Sequence, residues 1–414
     1  MAWIDYQKAF DSVPHSWINR CLDLYKVDEN VRSFLKKQMN KWQTTLTLNH
    51  ENGEIAIPDV KIQRGIYQGD SLSPLLFCLT IDPLTKVLKK QNIGYDLGQV
   101  RGKNKMRSIV CLLLFMDDLK LYADSDANLN KLVQIVHNFS TDICMDFGLD
   151  KCSKCTLKKG LKVASENLQL DNGMSIEDLN DEASYKYLGI EENAAIEHKH
   201  MREKLTKEYF KRVKSICKTE LTTKNKIQSI NQLALPVLSY GFGIVEWPQY
   251  QINAIDIKTR KLLTLHKCTY RNQCYDRLYI PRSEGGLGLL EVNQCFKSTI
   301  VGLSQYLHSC TDRLMKLVSK QHTEVLPQNV SIIKMADNFS DSLIEKEVDE
   351  ENADTPPTEM AKKKKQVHGS IFRSQRMDRW KEDRRAGKFP EELNKVYIDK
   401  KSITKLAQKR KARI

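Results

Sequence analysis

The amino-acid sequence predicts a mixed α/β domain, with a mainly helical region C-terminal to it. Short extended segments alternate with helical segments through residues 1–192, and apolar residues recur at helical spacing in most of the region beyond residue 192. The 414 residues are 41% hydrophobic, which is enough to bury a sizeable core in two or three domains. The composition therefore excludes a disordered or fibrous chain.

The N-terminal part predicts a strand, a turn, a helix and then a β-hairpin. "MAWID" is a short extended run that ends on Asp5, and "KAFDSVPHSWINRCLDLYK" switches to helical spacing with Pro14 as a candidate kink. "WQTTLTLN" and "IAIPDVKI" have the alternation of strands, and Asn52-Gly53 between them is a tight-turn signal.

A long helix and a second hairpin are predicted next. "SLSPLLFCLTIDPLTKVLKK" is a helix that begins near Ser71 or Ser73, with Pro74 tolerated in its first turn. "IVCLLLFMDDLKLYADS" predicts a strand, a two-residue tip and a strand. "NLNKLVQIVHNFSTDICMDFGL" is helical, and "YKYLGI" is a short strand near the end of the mixed region.

The net charge of +14 is concentrated at the C-terminal end. Residues 361–414 hold 19 Lys and Arg against 6 Asp and Glu, so the preceding residues are nearly neutral as a group. Residues 337–359 hold nine acidic residues, one Lys and the stretch "DTPPTE", which is typical of a linker. We expect an acidic linker at 337–360 and a basic tail at 361–414.

Cysteine usage and the first residues predict the compartment. The eleven Cys have no framework spacing, and Asp5, Lys8 and Asp11 lie where a signal peptide needs an apolar stretch. Cys152 and Cys155 form a C-x2-C without a partner pair, so we expect buried thiols rather than a zinc site. No apolar run approaches the roughly 20 residues of a membrane span.

We therefore expect an intracellular protein without membrane contact. The clusters "AKKKKQ" and "QKRKAR" near the C-terminus predict nuclear localisation or non-specific binding of nucleic acid.

Two adjacent carboxylates, Asp117 and Asp118, lie at the predicted tip of the second hairpin. Like charges at a partly desolvated tip repel each other, and divalent cations with oxygen ligands relieve that repulsion. Asp5, at the end of another predicted strand, can supply a third carboxylate. Three such groups suit a two-metal phosphoryl-transfer site, with the ions about 3.5–4 Å apart.

Five ordered motifs resemble those of reverse transcriptases, in particular those of site-specific non-LTR retrotransposons with a restriction-like endonuclease. "IDYQKAFDSV", "RGIYQGDSLSPLLFCLTIDPL", "LLFMDDLKLYA", "FGLDKCSKC" and "YKYLGI" are similar to the family's motifs A to E. "TKNKIQSINQLALPVLSYGFGI" and "DRLYIPRSEGGLGLLEV" resemble its thumb and post-thumb.

The resemblance implies an α/β (α+β) polymerase palm with a mixed or antiparallel sheet, then a mainly α-helical thumb and a partly disordered basic tail. The implied bounds are 1–192 for the palm without fingers, 193–265 for the thumb and 266–336 for a helical post-thumb region.

The resemblance also implies which residues perform the chemistry. Asp5, Asp117 and Asp118 would bind two Mg²⁺ ions, with the Tyr6 carbonyl as a further ligand. Lys154, or else Lys151, would protonate the leaving pyrophosphate. Spacing alone does not separate the two lysines, and a solvated loop lysine is the alternative for either.

Three further residues would contact the incoming nucleotide. Phe10 would lie beneath the sugar and exclude a ribose 2′-hydroxyl, although core packing also explains an aromatic there. Gln68 would hydrogen-bond the nascent base pair, and Gly69 would let the backbone approach closely. Asp70 and Ser73 serve equally well as caps of the following helix. "YKYLGI" would be the primer grip.

One predicted helix carries a row of lysines beside an apolar face. In "KHMREKLTKEYFKRVKSICK" the row recurs at alternating intervals of three and four residues: Lys204, Lys207, Lys211, Lys214 and Lys218. We call these five residues the lysine row. It can follow a phosphate backbone, and the resemblance implies contact with the template–primer duplex; a solvated amphipathic helix is the alternative.

The predicted function is that of an RNA-directed DNA polymerase acting on an RNA template, a DNA primer and deoxynucleotides. The chain begins at motif A, so we expect no fingers and little or no primer extension by residues 1–414 alone. After "VHGSIFRSQ" we find neither a zinc knuckle nor an endonuclease motif. A catalytically inactive element remnant and a domesticated nucleic-acid-binding protein are the alternatives.

Overall fold

The structure is a computed structural model. It describes residues 1–50, 53–97, 108–180, 183–270, 273–341 and 355–382. The chain forms two compact units, divided between Glu197 and His198, shortly after the predicted end of the palm. In these described ranges no helix has both the length and the apolar character that a membrane crossing requires.

The first unit mixes helices with short strands. Its helices are α1 Ala9–Ser12, α2 His15–Leu24, α3 Glu29–Met39, α4 Ser73–Lys90 and α5 Asp126–Asp142. Its strands are β1 Ala2–Ile4, β2 Gln43–His50, β3 Gly53–Lys61, β4 Tyr95–Asp96, β5 Ile109–Val110, β6 Leu112–Phe115, β7 Asp118–Leu121, β8 Ser153–Lys154, β9 Thr156–Lys158, β10 Leu161–Val163, β11 Leu168–Gln169, β12 Ser175–Ile176, β13 Tyr185–Tyr187 and β14 Ile190–Glu192.

A four-stranded antiparallel sheet in the order β6-β7-β1-β8 forms the centre of this unit. Apolar residues of the strands and of α4 and α5 share one buried cluster, with Ile4, Leu119, Phe77 and Leu132 among its members. Burying apolar surface between a sheet and helices is what stabilises such a layer arrangement. The predicted palm class, with its antiparallel sheet, is confirmed.

The local predictions of turns and helix starts agree with this structure. Helix α4 begins at Ser73 with Pro74 in its first turn, and the tip between β6 and β7 consists of Met116 and Asp117. Asn52 lies outside the described residues. "YKYLGI" supplies more than the single strand predicted, because the chain turns at Leu188 and Gly189 and pairs β13 with β14.

The second unit is built mainly of helices in its described residues. They are α6 His198–Lys218, α7 Thr223–Ser229, α8 Leu235–Ser239, α9 Gln249–Leu265, α10 Asp276–Tyr279, α11 Val292–Ser309, α12 Arg313–Glu324, α13 Ile332–Asp341 and α14 Pro357–Glu382. A π-helical segment, Ile230–Ala234, joins α7 to α8. The mainly helical character predicted beyond the palm is confirmed.

The predicted basic tail begins inside a folded helix. Helix α14 packs closely along α11, where a Cβ on Gly302 would lie 3.1 Å from the carbonyl oxygen of Ala361. His368, Arg376 and Trp380 of α14 are buried. Residues 361–382 are therefore part of the second unit rather than a solvated tail, because three of their side chains are needed in its interior.

The two basic clusters and the linker fall partly outside the described residues. "AKKKKQ" lies on α14, where Lys362 and Lys363 are exposed, and "QKRKAR" is not described. Helix α13 extends to Asp341 and α14 begins at Pro357, so both ends of the predicted linker are helical. Nuclear localisation through these clusters stays a prediction.

Candidate active site

The pairing of β1 with β7 brings two of the predicted carboxylates together. Ile4 is paired with Leu119, so Asp5 and Asp118 are the next positions along two adjacent antiparallel strands. Asp117 lies at the hairpin tip directly before β7. All three carboxylates therefore lie at one end of the central sheet.

Partial burial and mutual repulsion act on these carboxylates. Burial raises the pKa of Asp5; the Lys151 ammonium lowers it in part, and the negative charge of Asp117 raises it again. Burial also raises the pKa of Asp118, and Asp117 and Asp5 add to the shift. Like charges so close together favour either protonation or a bound cation.

Oδ2 of Asp5 is buried and accepts no hydrogen bond, and the Lys151 ammonium lies 3.6 Å from it. A buried carboxylate oxygen without a donor is costly unless a cation approaches it. The chemistry of the donor set, three carboxylates, is that preferred by Mg²⁺. Within the described ranges no three His, Cys, Asp or Glu side chains already form a metal-binding group.

Gly148 makes room for Asp5, and the sequence reasoning missed this residue. Its backbone nitrogen donates to the Asp5 carbonyl at 2.9 Å, and a Cβ at this position would lie 2.9 Å from Oδ2 of Asp5. Any larger residue would therefore displace the carboxylate. The available signal was the glycine of "FGLDK", directly before the two candidate lysines.

Of the two candidate lysines, Lys151 lies beside Asp5 and Lys154 does not. Lys151 Nζ lies 3.6 Å from Oδ2 of Asp5, and its side chain is 66% exposed. Lys154 pairs with Ala2, at the end of β1 away from Asp5, and its buried Nζ donates to the Glu166 carbonyl at 2.6 Å. The strand pairing places the Lys154 ammonium away from Asp5, and which lysine acts at the leaving group stays a prediction.

Backbone hydrogen bonds join the loop that carries Gln68 and Gly69 to the C-terminal end of α1. The backbone nitrogen of Gly65 donates to the Val13 carbonyl at 2.8 Å, and that of Ile66 donates to the Phe10 carbonyl at 2.7 Å. Gln68 and Gly69 are exposed, and Gly69 has a φ of +94°, which favours glycine. The Gln68 amide is thus presented from a loop anchored beside Phe10.

Phe10 and Tyr6 have different surroundings. Phe10 is half-buried and stacks on Phe77, with ring centroids 4.5 Å apart, so one part of its ring stays accessible. The Tyr6 side chain is buried and its hydroxyl accepts a hydrogen bond from Ser140 at 3.2 Å. Only the backbone of Tyr6 is therefore available to the site.

Asp70 accepts a hydrogen bond from the Leu72 backbone nitrogen, consistent with the capping alternative.

A buried ion pair anchors the β13–β14 hairpin to the central sheet. Lys120 Nζ donates to Oε1 of Glu192 at 2.6 Å, and the Trp3 indole donates to the same oxygen at 2.7 Å. Tyr185 stacks on Trp3 with centroids 4.8 Å apart, and Lys120 Nζ lies 5.4 Å from the Tyr187 ring centroid. The predicted primer grip is thereby fixed to β7, the strand that begins with Asp118.

Glu192→Ala is expected to lower the free energy of unfolding by about 3–5 kcal/mol, because it leaves the Lys120 ammonium buried without a partner. Denaturant unfolding measures the loss. Glu177→Ala, at an exposed position of the same unit, is the matched control and should stay within about 0.5 kcal/mol of the parent. Equal stabilities of the two variants would contradict the anchoring role.

Comparison with known proteins gives the class of the first unit. Residues 1–191 match the family model described as "Reverse transcriptase (RNA-dependent DNA polymerase)". Together with the antiparallel sheet and its carboxylate end, this match defines these residues as a reverse transcriptase domain.

The relatives are Pol polyproteins of R2 retrotransposable elements. One relative is the Pol polyprotein of the type-2 element R2DM of Drosophila melanogaster, which is 25% identical to this chain over 297 residues. The matched stretch covers 70% of this chain and 26% of that protein. This chain is also 24% identical over 298 residues to the Pol polyprotein of a type-1 element R2 of Popillia japonica, over 70% of this chain and 46% of that protein. This chain is thus related to the reverse transcriptases of non-LTR retrotransposons, and it spans less than half of either relative.

Among solved structures, a telomerase is similar to this chain. The structure of telomerase from Candida albicans, solved with a fragment of telomeric RNA, shares 12% sequence identity with a TM-score of 0.28. The similarity covers 79% of this chain and 49% of that chain.

Proposed function

We propose that the first unit is the catalytic palm of an RNA-directed DNA polymerase. The reaction joins a DNA primer to a deoxynucleotide opposite an RNA template: the 3′-hydroxyl oxygen bonds to the α-phosphate, and pyrophosphate leaves. The observation that carries the proposal is the register that sets Asp5 beside Asp118, with Asp117 adjoining them. The family match supplies the class of reaction.

Two Mg²⁺ ions are the proposed cofactor, held by Asp5, Asp117 and Asp118. Bound ions would favour ionisation of the attacking hydroxyl and neutralise charge on the leaving pyrophosphate. The protein supplies carboxylates that already carry an electrostatic cost, since burial and repulsion raise the pKa of both Asp5 and Asp118. Relieving that cost is a source of cation affinity.

Lys151 is proposed to act at the leaving group. Its exposed ammonium lies near Asp5 and is within reach of a triphosphate bound at the same end of the sheet. An ammonium there can stabilise negative charge on pyrophosphate and donate a proton to it.

The nucleotide pocket is proposed to lie between α1 and the Gln68 loop. The half-buried ring of Phe10, backed by Phe77, would contact the sugar and leave no room for a 2′-hydroxyl. Gln68 can donate to and accept from a base pair. The primer would lie along the β13–β14 hairpin, which Lys120 and Glu192 join to the catalytic strand.

Primer extension tests this function directly. A DNA primer annealed to an RNA template is incubated with the chain, deoxynucleotides and Mg²⁺. Any extension should be abolished by EDTA and should not be supported by ribonucleotides. Binding of the template–primer with neither metal-dependent extension nor binding of Mn²⁺ would reject the polymerase proposal and favour a nucleic-acid-binding function.

A further inference from the structure

Helices α6 and α9 form the walls of a long groove in the second unit. The two helices contact each other where the buried Tyr209 hydroxyl and the Thr259 hydroxyl form a hydrogen bond of 3.0 Å. Beside this contact lies an open groove of about 1080 Å³. Four members of the lysine row line its α6 wall: Lys207, Lys211, Lys214 and Lys218.

The groove is strongly basic. Lys199, Arg202 and Lys258 bring its cationic side chains to seven, whereas Glu203 is the single carboxylate among the described residues that line it. Over the part of the chain that the structure describes, Lys207, Lys214 and Lys218 form no ion pair, and Lys211 makes only a long one of 3.9 Å. These charges are therefore available to a polyanion.

Aromatic side chains lie among these cations. Tyr250, near the start of α9, is 70% exposed, and Gln251 donates a hydrogen bond of 3.1 Å to its hydroxyl. Phe210 forms part of the groove floor, with Lys258 Nζ 4.4 Å from its ring centroid. An exposed aromatic ring beside a row of cations is the combination that binds unpaired bases together with their phosphates.

The dimensions favour a single strand. From Lys199 to Lys218, α6 rises about 28 Å, which is long enough for the four or more nucleotides of a single-strand site. The stacked bases of a double helix have no free ring face to offer Tyr250, whereas an unpaired base can stack on it.

We propose that the α6–α9 groove binds a single strand of nucleic acid, with phosphates on the lysine row and one base stacked on Tyr250. This goes beyond the polymerase proposal and differs from the predicted role of the lysine row, which was contact with a duplex. It needs neither the carboxylates of the palm nor a metal ion. The two proposals can therefore fail separately.

Fluorescence anisotropy of the full chain without Mg²⁺ tests the groove. The probes are a labelled single strand of about 12 nucleotides and a duplex of the same length. Because the palm is itself proposed to bind a duplex, the effect of each groove variant is measured on the two probes separately. Lys207→Ala with Lys214→Ala should lower the slope of log affinity against log salt by about 1.4, since each lost phosphate contact contributes about 0.7.

Variants of Tyr250 separate stacking from charge. Tyr250→Ala should weaken single-strand binding by about tenfold, whereas Tyr250→Phe keeps the ring and should bind as the parent does. Lys316→Ala with Lys320→Ala removes two exposed charges of α12 outside the groove and is the matched control.

Three results would overturn the groove proposal. They are a loss of duplex affinity in Tyr250→Ala as large as the loss of single-strand affinity, an equal loss of affinity in the Lys316 and Lys320 control, and Tyr250→Ala binding like the parent. None of them bears on whether the palm extends primers.

Discussion

Asp118→Asn is expected to reduce Mg²⁺-dependent primer extension by about 10²–10³-fold or more, because it removes one of the charges that hold the cations. The change is nearly isosteric, and β7 keeps its pairing with β1 through backbone groups. Primer extension under equal protein and salt measures the loss. Titration with Mn²⁺ should show weaker binding in the same variant.

Asp118→Asn should lose activity without losing folding stability. Because the folded-state pKa of Asp118 is raised, the ionised form is disfavoured in the fold, and its contribution falls as pH rises through that pKa. Asparagine removes this dependence, so the variant should be at least as stable as the parent at neutral pH. Asp171→Asn, at an exposed position of the same unit, is the control and should retain full extension. A variant of Asp118 that extends like this control would show that the carboxylate is not catalytic.

The sequence was most informative where structure depends on neighbouring residues. The apolar runs on either side of Met116 and Asp117 predict a hairpin because alternation and a two-residue tip are local properties. The start of α4 is predicted for the same reason, since Ser73 and Pro74 act within one helical turn. The convergence of Asp5 with Asp118 depends on a strand pairing between distant segments. The position of Asp5 at a predicted strand end suggested it as a third carboxylate, and the ordered motifs implied that all three bind the same ions.

Lysine roles were harder to predict, because register decides which way each side chain lies. Lys151 and Lys154 are three residues apart, yet only Lys151 lies beside Asp5. Lys120 stands between Leu119 and Leu121 in a strand where apolar residues would be expected inside, and its burial needs Glu192 from a later hairpin. No local pattern names that partner.

The structure of the predicted basic tail also depends on partners that are distant in the sequence. Its composition predicts solvation because charged residues are rarely buried unless paired. The partners exist but lie about 100 residues earlier, where Asp276 and Glu291 both ion-pair with Arg376. Pairing over such a distance converts a basic segment into a packed helix.

Arg376→Ala is expected to lower the free energy of unfolding of the second unit by about 3–5 kcal/mol. Arg376 is buried, its Nη1 lies 2.5 Å from Oδ1 of Asp276, and its other amine pairs with Glu291. Its guanidinium also lies 4.4 Å from the Tyr279 ring centroid. Without it Asp276 keeps only the longer contact with Arg379, and Glu291 loses its ion pair close to Asp256, whose pKa burial and Glu291 already raise to about 7.

Arg379 provides the matched control on the same helix. It lies 3.4 Å from the same Asp276 oxygen, but its side chain is 48% exposed, so Arg379→Ala should cost less than about 1 kcal/mol. Denaturant unfolding followed by tryptophan fluorescence is suitable, because Trp380 is buried in the same helix. Arg376→Met combined with Asp276→Asn and Glu291→Gln removes all three charges and should recover much of the loss. If Arg376→Ala costs no more than Arg379→Ala, the ion pairs do not hold α14 in the fold, and the solvated tail that the sequence predicts is the better description.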